Sequence, residues 1–449
     1  MDDGTSAPAR GAVGESGEAP ESETPPCSPR SPEEWQRLSR RIQAVARRVP
    51  ILPSLSWGRE VKERFLAREG RELPEITYPD RREEFAAAER LAREAAAEFA
   101  GEDPIDAWAR GTFTSYADGA RMLQAVGTPD FGRLSTELYG RAGDPVRAGS
   151  GAPSDLELAR RILTDDPRTP VCAGLAPDDA GEERIAARPA ARELQRRLRE
   201  ELPGERVTVT VSRGVASKAI AGNRRIRLRR GATFSAREIE LLVVHEGLVH
   251  IATSLNGQAH PQLRCLGRTS PRALRLQEGL AVFAEFMAGV LDLARLRRLA
   301  ERVVAIDIAQ RGGDFLDVHR FFCERGQSLE EAYESARRVF RGGAPAGGGP
   351  FTKDLIYLQG LARLQQFLEA YCKQEPGSPE EADLRLLFAG KFALEDLDAL
   401  RAMRAAGVLG PPRHLPAWIS GPGLLAGRIA QGGPLLTNGR GRGRLSRVG

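Results

Sequence analysis

The apolar positions in the first half of the chain follow the period of an amphipathic helix. Residues 81–100 are strong helix formers, with Phe85, Leu91 and Phe99 on one face. A first helix is predicted after Ser31, an N-cap residue that is followed by a proline in the first turn. The other elements predicted in this half are a helix over about 105–126, a turn-rich connector over 127–140 and a helix over 154–164.

The pattern changes after residue 186. Residues 207–212 (VTVTVS) and 226–230 (IRLRR) alternate between apolar and polar, which predicts two strands of a small sheet. A helix then opens at Ser235, and Glu238 three residues later forms a capping box. Its apolar residues run nearly all round, so we expect a buried central helix. The remaining predicted helices span 187–201, 273–292, 294–310 and 328–340, and one begins near 352. Together these elements predict an α+β fold that is predominantly helical.

The composition is typical of a soluble globular protein, with 41% hydrophobic and 28% charged residues. The formal net charge is +5, and arginine supplies nearly all of the positive charge. Lysine occurs only at Lys62, Lys218, Lys353, Lys373 and Lys391. Because opposite charges are interspersed and no nucleic-acid-binding module is recognisable, we expect no nucleic-acid partner.

The cysteines and the apolar stretches indicate the cellular compartment in which the protein is expected. Five cysteines are scattered without a CxxC pair, which predicts neither a disulfide framework nor a cysteine zinc site. The N-terminal residues lack the basic region and apolar run of a signal peptide. No stretch offers about 18 uninterrupted apolar residues for a transmembrane helix. We therefore expect a cytoplasmic protein with reduced thiols and no membrane partner.

Two histidines and a glutamate share the central helix in an HExxxH motif: His245, Glu246 and His250. Imidazoles are zinc ligands, and an adjacent glutamate is the natural base for a metal-activated water. In a regular α-helix, however, positions i and i+5 lie about 140° apart, so the rings would diverge. They can share a metal if the helix carries a π-bulge, for which Gly247 is the easiest position. We therefore predict a π-type irregularity within 245–250; the alternative is two core histidines satisfied by hydrogen bonds.

A third ligand is expected from the next apolar helix, which contains the sequence RLQEGLAVFAEF. Glu278 in this helix is costly to bury unless it is paired or bound to a metal. With His245 and His250 it would complete a ligand set for one zinc ion. Glu285, seven residues on and therefore on nearly the same face, is the competing ligand. Alternatively, Glu285 is not a ligand and pairs with a nearby arginine.

Three stretches together resemble one family: VVHEGLVHIATSLNG, QEGLAVFAEF and RVFRGG…GPFTKDLIYLQGL. They are similar to the QEGLA-motif proteins, the bacterial flavohemoglobin expression-modulating family, which is related to the eukaryotic microtubule-associated tyrosine carboxypeptidases. The resemblance covers about residues 50–410 and therefore implies one catalytic unit. The predicted organisation is a disordered tail over 1–33, a single catalytic domain over 34–430 (a helical part at about 34–186 and a metal-site part at about 187–430) and a disordered basic tail over 431–449.

The resemblance implies a gluzincin-like zinc metallopeptidase core and roles for the motif residues. In the carboxypeptidase branch the two histidines and the downstream glutamate hold zinc, which assigns His245, His250 and Glu278 as ligands. The glutamate within the motif is the catalytic base, which assigns Glu246. The implied reaction removes one residue from the C-terminus of a peptide or protein. The eukaryotic enzymes act on α-tubulin, but this chain resembles the bacterial proteins, so tubulin is not the expected substrate.

A carboxypeptidase must also bind the terminal carboxylate of its substrate, and lysine or arginine does this best. Lys353 is the first candidate, and Tyr357, one turn later, could donate a hydrogen bond to an oxyanion. The alternatives are a pairing of Lys353 with Asp354 and a core position for Tyr357. Further candidates for the carboxylate are Arg337, Arg338 and Arg341.

Two other functions stay open. Dipeptidyl peptidases also use an HExxxH helix, and the chain could instead be a non-catalytic regulatory protein affecting flavohemoglobin expression. One residue departs from the family pattern: His260 interrupts an expected glutamine–proline pair. We expect it to be a solvent-facing loop residue rather than a neighbour of the metal ligands.

Overall fold

The computed structural model describes the first residue and residues 30–146, 152–164, 175–177, 181–213, 218–222, 224–373 and 381–430. Most of the two predicted disordered tails therefore lies outside the described residues. The described chain is mostly helical with two small sheets, which confirms the predominantly helical α+β class. The gluzincin-like core and the domain boundaries stay predictions.

The helices that precede the sheet begin at capping residues that the sequence identifies. The Ser31 hydroxyl accepts a hydrogen bond from the Glu34 N–H, and the Glu34 carboxylate accepts one from the Ser31 N–H at 2.6 Å. Ser154 forms the same capping box. The described helices of this region are α1 (Pro32–Arg48), α2 (Ile51–Ser54), α3 (Arg59–Ala67), α4 (Arg82–Ala97), α5 (Pro104–Gln124), α6 (Asp130–Tyr139) and α7 (Asp155–Leu163).

The prediction of a turn-rich connector over 127–140 is wrong, because helix α6 occupies most of it. The turn formers lie at its two ends, where the helix begins after a proline and ends at a glycine. Between them, Phe131, Leu134 and Tyr139 form a buried face at helical spacing. Burial of this face outweighs the low helix propensity of the glycine within it.

A three-stranded sheet supports the central helix. Its elements and their neighbours are β1 (Ile185–Ala186), α8 (Ala187–Glu201), β2 (Thr208–Ser212), β3 (Ala219–Gly222), β4 (Arg225–Arg229) and β5 (Thr233–Phe234). Strand β4 pairs in parallel with β2 and antiparallel with β3, and β1 pairs antiparallel with β5. Ile226 and Leu228 of β4 are fully buried, which confirms the predicted alternation. Strand β3 was not predicted, because its sequence AIAG carries no alternation of apolar and polar residues.

The central helix consists of three consecutive segments: α9 (Ala236–Leu242), a π-helix (Val243–Ile251) and α10 (Ala252–Ala259). It begins at the predicted Ser235 capping box. Val243 and Ile251 pack in a smaller hydrophobic cluster with α8 and β4. Val244 and Val249 pack in the large cluster formed by the other helices. The central helix is therefore enclosed from both sides, as its apolar sequence predicts.

The remaining helices surround this central helix. They are α11 (Leu274–Met287), α12 (Leu293–Gln310), α13 (Phe315–Glu324), α14 (Leu329–Phe340), α15 (Ile356–Tyr371), α16 (Glu381–Leu386), α17 (Leu397–Ala405), α18 (Ala417–Ser420) and α19 (Pro422–Ala430), with 3₁₀ turns at Arg264–Gly267, Thr352–Leu355 and Leu394–Asp396. Helices α13, α18 and α19 were not predicted from the sequence. Among the described residues, none of the helices combines the length and apolarity needed to span a bilayer.

Helices α11 and α15 approach each other through two glycines. A Cβ atom at Gly279 would lie 2.3 Å from the carbonyl carbon of Gly360, and one at Gly360 would lie 2.1 Å from the carbonyl oxygen of Arg275. No larger residue fits at either position without displacing a backbone. This close approach brings Glu278, the neighbour of Gly279, towards the 3₁₀ turn that precedes α15.

Candidate metal centre

The HExxxH motif lies within the nine-residue π-helix, which confirms the predicted irregularity. In a π-helix the backbone hydrogen bonds join residues five apart, so His245 and His250 come onto the same face. Their ring centroids are 4.8 Å apart with the ring planes at 86°. The distortion extends over the whole of Val243–Ile251 and is therefore longer than the single bulge expected between the rings.

Glu278 from α11 meets the two imidazoles. Its Oε2 atom lies 3.6 Å from Nε2 of His245 and 3.5 Å from Nε2 of His250. One ligand atom from each of the three residues lies within 4.8 Å of the others. Bonds of about 2.0–2.1 Å at tetrahedral angles place zinc ligand atoms about 3.3 Å apart, so the donor set has nearly the right spacing. The Oε2 atom is buried and makes no hydrogen bond, which fits an atom directed at a cation.

Glu285, the competing ligand, contacts the opposite nitrogen of His245. Its Oε1 accepts a hydrogen bond from Nδ1 of His245 at 2.7 Å, which leaves Nε2 free to face Glu278. Arg295 donates to both Glu285 oxygens, at 3.1 and 3.3 Å, so the expected arginine pairing of Glu285 is present. Burial raises the pKa of Glu285, but the Arg295 guanidinium and the ring of His245 together hold that pKa below its ordinary value. Glu285 therefore orients the ring of His245 as a charged acceptor.

The electrostatics of the site favour a bound cation. Burial lowers the pKa of His245, but the carboxylates of Glu278 and Glu285 raise it to about 10 overall. Burial raises the pKa of Glu278, and Lys353 together with the two imidazoles holds it well below its ordinary value. Positive charge is thus stabilised between the imidazoles and the carboxylates. A metal ion would compete with protons for this position.

Glu246 follows His245 in the π-helix and is half-buried. Its negative charge acts to raise the pKa of both His245 and Lys391. A half-buried carboxylate next to a metal ligand can reach a water molecule at the metal and still contact solvent. That is the arrangement a general base requires.

Lys353 is buried against the third member of the donor set. Its Nζ lies 3.6 Å from Oε1 of Glu278 and 5.1 Å from the ring centroid of Tyr357. The alternative pairing of Lys353 with Asp354 is not formed, because Asp354 accepts two hydrogen bonds from Arg338 at 2.6 and 3.0 Å. Tyr357 is half-buried, and the guanidinium of Arg302 lies 5.2 Å from its ring centroid.

The candidate arginines also have partners within the chain. Arg338 pairs with Asp354, and Arg337 pairs with Glu334 at 2.6 Å. The guanidinium of Arg341 lies over the ring of Phe351. Arg338 and Arg341 therefore link α14 to the segment at 351–354, whereas the pair of Arg337 lies within α14. Their role in binding a substrate stays a prediction.

Lys391 is a residue near the site that the sequence interpretation missed. It is half-buried, and burial lowers its pKa to about 8, although Glu278 and Glu246 both act to raise it. Among the described residues, none forms a hydrogen bond or ion pair with its ammonium group. Lysine is scarce in this arginine-rich chain, and the scarcity that drew attention to Lys353 applies equally to Lys391. So does its position inside the apolar sequence FAGKFA.

His260 corrects a further expectation, because it is buried rather than facing solvent. Its Nε2 hydrogen-bonds to the carbonyl oxygen of Ala389 at 2.9 Å. Burial lowers its pKa, consistent with a neutral ring that donates this hydrogen bond. The extra histidine after α10 thus ties the end of the central helix to the segment that carries Lys391.

A cavity of about 810 Å³ passes beside the end of the central helix. Lys353 and Lys391 both line it, together with Ser254 and Gln258 of α10. A volume of this size accommodates a small ligand or a short peptide. Lys353, whose Nζ lies 3.6 Å from Oε1 of Glu278, therefore connects the lining of this cavity to the donor set.

The role assigned to Glu285 predicts the effect of its removal. Glu285→Gln should weaken metal binding about 10- to 100-fold, because a neutral amide orients His245 less firmly and makes it a weaker ligand. Metal affinity would be measured by competition with a chromogenic chelator. Asp155→Asn is the matched control, since Asp155 is a buried carboxylate whose partners are Gly143 and Gln359. Unchanged metal affinity in Glu285→Gln would contradict this role.

Comparison with known proteins gives one broad match and one weak one. A family model described as "Microtubule-associated tyrosine carboxypeptidase" matches residues 63–431. No curated protein is similar enough to match the chain. A solved structure of a carboxypeptidase from Pyrococcus furiosus, titled "Apo-Mg", is similar at 14% identity, covering 90% of this chain and 99% of that chain. Its TM-score is 0.34, so this likeness carries no weight for fold or function. The QEGLA-motif assignment stays a prediction.

Proposed function

Because the chain belongs to the microtubule-associated tyrosine carboxypeptidase family, we propose that it is a zinc-dependent carboxypeptidase. The proposed ligands are His245, His250 and Glu278, and the proposed base is Glu246. The proposed substrate is the C-terminus of a peptide or protein. The family supports the carboxypeptidase activity, and the side-chain geometry supports the metal.

One observation carries the metal assignment. The buried Oε2 atom of Glu278 has no hydrogen-bond partner, yet it points at the Nε2 atoms of both imidazoles from 3.5 and 3.6 Å. These separations are too long for good hydrogen bonds and suit ligands that share one ion. Leaving a buried carboxylate oxygen unsatisfied costs about 1–3 kcal/mol, which an ion between the three groups would offset.

The donor set favours zinc over harder ions. Two imidazoles and one carboxylate, with a position left for water, form a common catalytic zinc set, whereas magnesium and calcium prefer sites made only of oxygen atoms. When bound, zinc supplies a Lewis acid for the scissile carbonyl and acidifies a water molecule.

The other proposed roles belong to side chains of the protein. Glu246 accepts the proton of the attacking water and later returns it to the leaving amine. Glu285 keeps the ring of His245 oriented. Lys353 pairs with the second oxygen of Glu278, and moving away from it would leave a buried charge without a partner. The substrate contacts of Lys353 and Tyr357 stay part of the proposal, Lys353 as a residue that lines the cavity and Tyr357 as a donor to the oxyanion.

Blocked peptides separate a carboxypeptidase from a dipeptidyl peptidase. N-acetylation should leave the rate of hydrolysis unchanged, whereas C-terminal amidation should lower it about 10- to 100-fold, because it removes a charge that the enzyme pairs. Products would be identified by mass spectrometry from matched peptides of one sequence. If acetylation stops hydrolysis and amidation does not, the dipeptidyl peptidase is the correct function.

A further inference from the structure

We propose that the ammonium group of Lys391 binds the C-terminal carboxylate of the substrate and so selects free carboxyl termini. This inference rests on the proposed carboxypeptidase function and names the group that gives it its specificity.

The first support is the position of Lys391 in the cavity. Lys391 and Lys353 line the same cavity, and Nζ of Lys353 lies 3.6 Å from Oε1 of Glu278. The charges of Glu246 and Glu278 both act to raise the pKa of Lys391, which is consistent with a place beside the proposed base and the third proposed ligand. A carboxypeptidase needs a cation at this place, one residue beyond the bond that is hydrolysed.

The second support is that Lys391 is available. The ammonium of Lys353 is already paired with Glu278, and Arg338 is paired with Asp354. Among the described residues, no anion pairs with Lys391. Arg264, Arg268 and Arg413 also line the cavity, but they are exposed to solvent. A half-buried cation without a partner gains more from an incoming carboxylate than an exposed one does.

The third support is the rigid attachment of the segment 388–391 to the central helix. The Asn256 amide donates to the carbonyl oxygen of Phe388 at 2.9 Å, and His260 donates to that of Ala389 at 2.9 Å. The Lys391 N–H donates to the carbonyl oxygen of Leu266 at 2.7 Å.

These hydrogen bonds fix the backbone of Lys391 relative to the helix that carries the HExxxH motif. The point from which its side chain extends into the cavity is therefore set before substrate binds. Such preorganisation is what a specificity-determining residue requires.

Peptide binding tests the role without interference from turnover. Two N-acetylated peptides of one sequence, one with a free C-terminus and one amidated, are titrated calorimetrically into zinc-loaded Glu246→Gln protein with and without Lys391→Met. Glu246→Gln should bind the free acid about 10- to 100-fold more tightly than the amide. Adding Lys391→Met should remove this preference by weakening the free acid alone, and Lys391→Arg should restore part of it.

Two further lysine variants serve as controls. Lys218→Met removes a lysine that pairs with Glu238, and it should leave the preference intact. Lys353→Met should instead lower the zinc content, because Lys353 pairs with a proposed ligand. Lys391→Met should keep both its zinc and its melting temperature, which distinguishes substrate binding from a structural role.

The possible failures are distinguishable. If Lys391→Met retains the preference for the free acid, or loses zinc, the role of Lys391 is wrong while the carboxypeptidase function stands. If the parent protein hydrolyses no peptide and binds neither probe, the carboxypeptidase function is wrong and the inference falls with it.

Discussion

Glu246→Gln should lower peptide hydrolysis about 100- to 10,000-fold while the protein keeps its metal. The amide has nearly the shape of the carboxylate but cannot accept the proton of the attacking water. His245, His250 and Glu278 are untouched by the change, so the metal content should stay at that of the parent. The rate would be measured on an N-acetylated peptide and the metal by mass spectrometry of the digested protein.

Glu240→Gln is the matched control for this variant. Glu240 lies in the same central helix, in α9, and forms a partly exposed ion pair with Arg197. Its change should leave the rate within about twofold, since an ion pair that is open to solvent contributes at most about 1 kcal/mol to stability and this one touches none of the proposed ligands. A Glu246→Gln protein as active as the parent would exclude Glu246 as the base.

Glu278→Gln should have two large effects with different causes. First, it should weaken zinc binding by more than the roughly 10- to 100-fold expected for Glu285→Gln, because Glu285 only supports a ligand. Hydrolysis should fall with the loss of zinc. It should also lower the free energy of unfolding by about 3 kcal/mol even without metal, because Lys353 would keep a buried charge with no partner. Chelator competition measures the first effect and urea unfolding in excess chelator measures the second.

His250→Ala separates these two effects. It removes a proposed ligand that does not pair with Lys353, so zinc binding should weaken as in Glu278→Gln. The stability of the metal-free protein should change less, since His250 is only half-buried. If Glu278→Gln binds zinc as tightly as the parent, Glu278 is not a ligand, and Lys353 alone accounts for its burial.

The irregular helix was predictable because its cause is local. A helix that carries HExxxH can bring both rings to one metal only if it departs from the α form between them. The helix starts at Ser31, Ser154 and Ser235 were predictable for the same reason, since a cap involves residues only three positions apart.

The elements that were wrong or missing depend on tertiary contacts. Helix α6 looked like turns because of its terminal proline and glycines, and its formation depends on burying Phe131 and Tyr139 against other elements. Strand β3 has little pattern of its own and forms by pairing with β4. The local propensity of the residues predicts neither of these tertiary contacts.

The same distinction applies to the candidate site. His245, His250 and Glu278 could be proposed from motif spacing and from the cost of burying a carboxylate, and the structure brings their donor atoms together. The choice between Glu278 and Glu285 rests on which nitrogen of His245 each one faces, which spacing does not determine. Lys391 was missed because it lies about 140 residues from the motif and reaches it only through the hydrogen bonds of Asn256 and His260.

The central claim is that His245, His250 and Glu278 hold one zinc ion for a carboxypeptidase that uses Glu246 as its base. The most direct test is metal analysis combined with digestion of a peptide library, read by mass spectrometry, for the parent and for Glu246→Gln. We predict about one zinc per chain in both proteins and removal of C-terminal residues by the parent alone. A parent protein without metal, or equal digestion by the two proteins, would contradict the claim.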